Sequence, residues 1–272
     1  TVNELFFIRA DTAVFSNANH YGYYLSMMLP SAVWLFMDAK GKRRILYALE
    51  MGLLSNSLIK CHSLGPLLAI VVAMTAFLII TFIRCRDKFR MAVFAYILIF
   101  VVLGVSSADT WNIGADLGRT ADDTKIIVKN MWETVDEETK EALNSVGSKR
   151  GVLWINALRF IKERPIFGYG PDNLGGVYYA AGCTNDRPHN ELLQFAASLG
   201  IPAMVFYVCG LACLLLLFIR KFKQLTTWEI CSYVVIGSYL ISSLFGNTMY
   251  YTTPFYFTLL GLCFSQISQV EL

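Results

Sequence analysis

The chain has 272 residues, of which 56% are hydrophobic and 16% charged, and its formal net charge is +3. A mean hydropathy of +0.50 is far above that of an average soluble domain, so the composition excludes an ordinary soluble protein. The apolar residues come in blocks of roughly 17 to 25, the length of a membrane-crossing helix, whereas a β-barrel would show alternating segments of about ten residues. The sequence predicts an all-α polytopic membrane protein.

The apolar blocks predict about seven transmembrane helices and one large extracytoplasmic loop with short interfacial helices. We expect residues 1–107 to form the first half of the membrane bundle, residues 108–188 the loop, and residues 189–272 the second half. The second block is the weakest, because it contains Glu50, which we expect to be buried against neighbouring helices and to which we assign no role. The predicted spans are Tyr21 to Met37, Ile45 to Ile59, Leu64 to Ile83, Met91 to Val105, His189 to Ile219, Ile230 to Phe245, and Pro254 to Ile267.

Basic residues predict the orientation of the spans. Clusters at 40–44, 84–90 and 220–223 fall at alternate turns, so a seven-span arrangement puts them on one side. The positive-inside bias makes that side cytoplasmic. Asn19, Lys60 and the long loop are then expected on the outer face of the cytoplasmic (inner) membrane.

The long loop contains two kinds of segment. Asp122 to Lys140 is charged at helical spacing and predicts solvated surface helices. Residues 150–161 are heavily apolar, with Ser148 as a candidate cap, so this helix should lie against the membrane surface or the spans. At 100° per residue, Arg150 shares a face with Ala157, whereas Arg159 points the opposite way.

A proline and two glycines follow this segment. Pro165 should stop the helix, and Gly168 and Gly170 permit a tight turn. The pattern is not a dinucleotide-binding fingerprint, because Asn173 stands where a third glycine is needed and no strand precedes it. We expect this turn to position the neighbouring loop.

The polar loop turns into a membrane helix between Arg187 and Gly200. Pro188 suits the first turn of a helix, so His189 and Asn190 should be presented at the membrane boundary. Asn190 is expected to orient the imidazole or to cap the helix. Arg187 is expected either to attract an anionic donor or to pair with the neighbouring aspartate, Asp186.

The order of these motifs resembles the O-antigen ligase and O-antigen polymerase superfamily. The resemblance rests on Arg150 to Trp154, then Pro-Ile-Phe-Gly-Tyr-Gly at 165–170, then Arg-Pro-His-Asn-Glu at 187–191. Ser-Asn-Ala-Asn-His at 16–20 is similar to the asparagine-rich entry to a membrane helix in that family. The chain resembles the C-terminal half or two thirds of family members.

The resemblance implies an inverting, metal-independent glycosyl transfer with no cofactor. The donor would be a glycan on polyprenyl diphosphate, and the acceptor a sugar hydroxyl of a lipid A core or of another lipid-linked glycan. His189 matches the catalytic histidine of the family, and Arg150 matches the arginine that contacts the donor diphosphate. A family arginine in a Ser-Arg-Gly turn is absent here, where residues 63–65 are Ser-Leu-Gly, so that cation is missing or replaced by Lys60 or His62.

These residue types also suit the chemistry. An attacking hydroxyl must lose a proton, which a neutral imidazole accepts near neutral pH. A departing diphosphate needs positive charge, and a guanidinium offers a planar fork of donors to phosphate oxygens. The partners expected are the lipid-linked donor, the glycan acceptor and the bilayer, with no nucleic acid. The candidate catalytic residues are His189 and Arg150, and the candidate substrate-binding residues are Arg187, Asn190, Asn19, Lys60, Gly168 and Gly170, with no metal ligands.

Two other classes share this composition. A transporter should show broken helices and polar residues near the midplane, often in a repeated pattern, and no internal repeat is evident. A non-catalytic scaffold of a polysaccharide export system has no use for an arginine and a histidine in this pattern. The choice between ligase and polymerase stays open.

Overall fold

The computed structural model describes residue 15 and residues 17–108, 111–130, 150–246 and 252–268. Every regular element in these ranges is a helix, which confirms the all-α prediction. The proposed cap Ser148 and the second part of the charged segment lie outside the described residues. The helices are α1 (Ala18–Asp38), α2 (Lys42–Lys60), α3 (Leu64–Arg84), α4 (Phe89–Ser107), α5 (Ile113–Asn130), α6 (Arg150–Glu163), α7 (Leu174–Ala180), α8 (Glu191–Leu199), α9 (Ile201–Lys221), α10 (Thr227–Ser243) and α11 (Thr253–Ser268).

Each predicted span contains helical structure, but the helices differ in apolar character. Among the described residues, α3, α4 and α9 are long and apolar enough to cross a membrane. A shorter apolar helix covers Thr253–Ser265. The total of seven spans stays a prediction.

The chain divides into two compact units. Unit 1 comprises residues 1–111, 214–242 and 249–272, and unit 2 comprises residues 112–213 and 243–248. Helix α9 therefore begins in unit 2 and ends in unit 1.

More than half of the residues of helix α1 are buried in unit 1. It packs against α2, α3 and α4. Serine hydroxyls connect it to α10, with Ser26 Oγ 3.2 Å from Ser242 Oγ and Ser238 Oγ donating to the Ser26 carbonyl at 2.8 Å. Small polar contacts of this kind are typical of helix packing in membranes. Because its neighbours cover it, α1 tolerates polar residues that a lipid-facing helix would not.

The three basic clusters meet at one end of unit 1. Lys88 Nζ lies 3.0 Å from Asp38 Oδ1, which joins the second cluster to the segment before the first. Arg84 Nη2 donates to the carbonyl of Lys223 at 2.6 Å, which joins the second cluster to the third.

The expectation that Glu50 is buried against neighbouring helices was wrong, because this residue is exposed on α2.

Helices α6, α7 and α8 share the core of unit 2. The buried cluster consists of Leu153, Ala157, Phe160, Leu174, Tyr178 and Ala197. The Tyr178 hydroxyl donates to the Leu153 carbonyl at 2.9 Å, so this buried polar group has a partner. The Phe160 ring packs edge-on against Tyr178, with the ring centroids 5.1 Å apart.

The predicted continuous helix from His189 to Ile219 is wrong, because the chain reverses at Gly200. The Phe195 and Tyr207 ring centroids are 4.8 Å apart, and the Tyr207 hydroxyl donates to Glu191 Oε1 at 3.3 Å. Sixteen residues of straight helix would separate Tyr207 from Glu191 by about 24 Å. Helices α8 and α9 therefore form a helical hairpin. Its physical cause is Gly200, whose φ of 90° lies in the left-handed region that favours glycine.

The turn at residues 165–170 docks on this hairpin through main-chain hydrogen bonds. Tyr169 N donates to the Ala197 carbonyl at 2.9 Å, and Gly170 N donates to the Ser198 carbonyl at 2.8 Å. Ile201 N donates to the Pro165 carbonyl at 2.8 Å. We call residues 165–170 together with 197–201 the turn–hairpin junction.

Two glycines make this close backbone contact possible. A Cβ on Gly168 would overlap the main chain of Ser198, and a Cβ on Gly200 would overlap the Ile166 carbonyl. Both glycines also have positive φ, 62° and 90°. Any other residue here would have to break the junction or strain it.

We predict that Gly200→Ala destabilises the protein by about 1–3 kcal/mol, because the new Cβ is strained and meets the Ile166 carbonyl. The measurement is the thermal unfolding midpoint of the purified protein in detergent. Gly210→Ala is the matched control, because nothing lies within 4 Å of its Cβ position in α9. The control should leave stability unchanged or raise it by about 0.5–1 kcal/mol. Equal midpoints for the two variants would contradict the prediction.

Candidate functional site

Arg150 is the first residue of α6, and its guanidinium-bearing side chain is partly buried. The helix face predicted from the sequence is correct. Ala157 on that face is fully buried, whereas Arg159 is exposed and bonds Glu163 through Nε at 3.0 Å. The two arginines therefore lie in different environments on α6, because Arg150 is partly buried and Arg159 is exposed.

His189 lies just before α8 in a left-handed backbone conformation, with a φ of 52°. Such a conformation is uncommon outside glycine and is maintained only where the surrounding structure fixes it. Here the preceding Pro188 is buried and the following Asn190 is anchored. The imidazole side chain is partly buried.

Asn190 is the N-cap of α8, which confirms the capping interpretation. Its Oδ1 accepts from Leu193 N at 3.0 Å, and its Nδ2 donates to the Leu244 carbonyl at 3.1 Å. The helix consequently begins at Glu191, so the expectation that Pro188 occupies its first turn was wrong. A substrate-binding role for Asn190 stays a prediction.

Helices α6 and α8 both run toward the turn–hairpin junction and pack against each other. Helix α6 has 14 residues, or about 21 Å at 1.5 Å per residue, and begins at Arg150; helix α8 has 9 residues, or about 13 Å, and begins two residues after His189. Pro165 and Ile201 are themselves hydrogen-bonded. The starts of the two helices therefore lie toward the same end of unit 2.

Arg187 is held between two carboxylates. Its Nε lies 3.4 Å from Asp186 Oδ2, and its Nη2 lies 3.7 Å from Asp172 Oδ1. The pairing with Asp186 was one of the two predicted alternatives. These contacts tie the loop before His189 to the segment that follows the turn.

The other candidates divide between the two units. In unit 2, Gly168 is buried at the junction, and Gly170 N donates to the Ser198 carbonyl. In unit 1, Asn19 Oδ1 accepts from the Ser63 hydroxyl at 2.6 Å, and Lys60 is exposed at the end of α2. Substrate binding by these four residues stays a prediction.

The model of the O-antigen ligase family matches residues 51–208, more than half of the chain. The chain belongs to the O-antigen ligase family. The matched segment includes Arg150, the turn and His189, whereas Asn19 lies before it. No curated protein matches the chain. Family membership implies a membrane enzyme of the glycosyltransferase type that acts on lipid-linked glycans.

In this O-antigen ligase family member, Tyr169 fixes the turn to the end of α6. Its hydroxyl donates to Glu163 Oε2 at 2.5 Å, and its ring lies 4.5 Å below the Arg164 guanidinium. This hydrogen bond is the main cause that lowers the pKa of Glu163 below its ordinary value, and it raises the pKa of Tyr169. The carboxylate is therefore ionised at neutral pH and keeps the turn in place.

Glu191 is the most buried acidic residue among the described parts of the family member, and no sequence motif pointed to a role for it. Its side chain is 1% exposed and accepts from the Tyr207 hydroxyl. A carboxylate in the first turn of a helix is also favoured by the helix dipole. The signal in the sequence was an acid directly before an apolar run, but Tyr207 becomes its neighbour only through the hairpin.

We predict that Tyr207→Phe destabilises the α8–α9 hairpin by about 1 kcal/mol or more, because the buried Glu191 carboxyl loses its hydroxyl donor. The measurement is the unfolding midpoint in detergent, together with protease cleavage of residues 181–190. Tyr179→Phe is the matched control, since Tyr179 is 60% exposed on α7. Similar midpoints for Tyr207→Phe and the wild type would refute this role.

Proposed function

We propose that the chain transfers a glycan from polyprenyl diphosphate to a sugar hydroxyl, without a metal ion and with inversion at the anomeric carbon. The observation that supports this most is the parallel approach of α6 and α8 to the junction, because it brings the helix starts that carry Arg150 and His189 to one end of unit 2. Family membership supplies the reaction class.

His189 is the proposed general base. The acceptor oxygen attacks the anomeric carbon and gives its proton to the imidazole, which becomes an imidazolium. One displacement forms the new glycosidic bond while the bond from the anomeric carbon to the diphosphate oxygen breaks, so the configuration inverts. A positioned base typically contributes about 10²- to 10⁴-fold in rate. The fixed left-handed backbone at His189 supports this role, because it determines the direction in which the imidazole leaves the chain.

Arg150 is the proposed ligand of the departing diphosphate. The leaving oxygen takes the electron pair of the broken bond, and a guanidinium stabilises that charge through paired N–H donors. A partly buried position strengthens such contacts relative to water. Arg187 is already engaged by two aspartates, so we propose that it orders the loop around the donor.

We further propose that the reaction occurs on the extracytoplasmic face of the inner membrane. The meeting of three basic clusters at one end of unit 1 supports a cytoplasmic position for that end. Asn19 and Lys60 are at the other ends of α1 and α2, so they would face outward, Asn19 toward the acceptor and Lys60 as a replacement for the family cation that is absent at residues 63–65. Both a lipid A core and a second lipid-linked glycan remain suitable acceptors, which corresponds to ligase and polymerase activity.

We predict that His189→Ala lowers glycan transfer by about 10²- to 10⁴-fold while binding of the lipid-linked donor persists. The assay reconstitutes the protein in vesicles with polyprenyl-diphosphate oligosaccharide, a chelator and either acceptor, and measures lengthened or transferred glycan. Donor binding is the internal control for folding. Transfer at the wild-type rate by the variant would contradict the proposed base, and loss of wild-type transfer on chelation would contradict metal independence.

We predict that Arg150→Gln weakens both donor binding and transfer, the latter by about 10²-fold, because the leaving diphosphate loses its cation. The transfer rate of Arg150→Lys should lie between those of the wild type and Arg150→Gln, since lysine retains the charge but not the planar fork of N–H donors. Arg159→Gln is the matched control from the opposite face of α6. If Arg159→Gln lost as much transfer as Arg150→Gln, a general effect of positive charge would explain both losses, and the proposed contact between Arg150 and the diphosphate would be contradicted.

A further inference from the structure

A cavity of about 550 Å³ opens at the basic end of unit 1, and none of the residues that line it belongs to the proposed active site. It lies between the last turn of α1 and the first turns of α2. Three cationic residues, Lys40, Lys42 and Arg43, line it together with Tyr47.

The walls of this cavity are fixed by their own contacts. Arg44 donates to the Ala39 carbonyl from both Nε, at 3.1 Å, and Nη2, at 2.7 Å, which holds the connection between the helices. Asp38 is the acidic residue of the lining, and Lys88 pairs with it at 3.0 Å. The carboxylate is thereby compensated without using the cations of the cavity.

Those cations are not compensated within the part of the chain that the structure describes. Lys40, Lys42 and Arg43 are all exposed, and they form no ion pair with any described residue. Three like charges around one cavity repel each other unless an anion joins them. A guanidinium and two ammonium groups are well suited to phosphate oxygens.

An exposed apolar stripe continues from the cavity along α2. Ile45, Leu46, Leu49 and Leu53 are between 61% and 69% exposed. Lys42, Leu46, Leu49 and Leu53 follow helical spacing, so the cation stands at the head of the stripe. In a membrane protein such a stripe contacts lipid chains. Cationic residues followed by apolar surface match a phospholipid, with its phosphate at one end and its acyl chains at the other.

We propose that this cavity binds the headgroup of an anionic phospholipid. Lys40, Lys42 and Arg43 hold the phosphate, and the stripe on α2 carries the acyl chains. A zwitterionic lipid fits less well, because its own cationic group meets three positive side chains. The site is independent of the glycan-transfer proposal, since it uses none of the same residues.

The test measures lipid binding by the purified full chain. The protein is titrated in neutral detergent with phosphatidylglycerol, with phosphatidylcholine, and with inorganic phosphate, and bound lipid is counted by native mass spectrometry. We expect phosphatidylglycerol to bind in preference to phosphatidylcholine. The triple variant Lys40→Gln, Lys42→Gln, Arg43→Gln should bind phosphatidylglycerol at least about tenfold more weakly, because each cation contributes to attraction of the anionic headgroup.

Two further variants separate the built cavity from its alternatives. The control triple variant Arg90→Gln, Arg220→Gln, Lys223→Gln removes the same charge from exposed positions outside the cavity and should keep tight binding. Leu46→Asn with Leu49→Asn should weaken binding of phosphatidylglycerol without affecting inorganic phosphate. Equal losses in the two triple variants would overturn the proposal in favour of general attraction to a basic surface. If Leu46→Asn with Leu49→Asn bound phosphatidylglycerol normally and inorganic phosphate displaced the lipid completely, the cavity would be a site for free phosphate only. That result would also overturn the proposal.

Discussion

The arrangement of unit 2 depends on a close contact between two backbones. The turn at 165–170 and the hairpin at 197–201 share three main-chain hydrogen bonds, and two glycines with positive φ leave the necessary space. Main-chain bonds define direction as well as distance. Because both α6 and α8 reach this junction at their C-terminal ends, their N-terminal ends extend away from it together. The candidate catalytic residues are found at those N-terminal ends.

The hairpin also changes how α8 relates to α9. A continuous helix would have held Glu191 far from Tyr207, whereas the reversal at Gly200 brings Tyr207 into contact with Phe195 and Glu191. The Glu191–Tyr207 contact then closes the open end of the hairpin. Fixed elements on both sides of His189 suit its proposed role as a general base, because small displacements of a catalytic group lower the rate steeply.

Unit 1 is organised by a different principle. Helix α1 is enclosed by its neighbours and contacts α10 through serine hydroxyls. Its polar groups are therefore not exposed to lipid, and they carry no free-energy penalty there. Exposed apolar faces lie instead on α2, α3 and α4. The basic clusters converge at one end through Arg84 and Lys88, which gives this unit a polar end for a membrane surface and the cavity from which we infer a lipid site.

The sequence by itself determined the all-helical membrane class, the positions of most helices, the opposite faces of Arg150 and Arg159, and the family. These features follow from hydropathy, helical periodicity and short motifs, all of which are local along the chain. Tertiary structure alone decided the break at Gly200, the true start of α8 at Glu191, the exposure of Glu50 and the burial of Glu191. The physical reason is that hydropathy does not register the sign of φ, so a glycine in the left-handed region reads as one more residue of an apolar run. Only the contact of that glycine with Ile166, distant in sequence, shows that the chain turns back there.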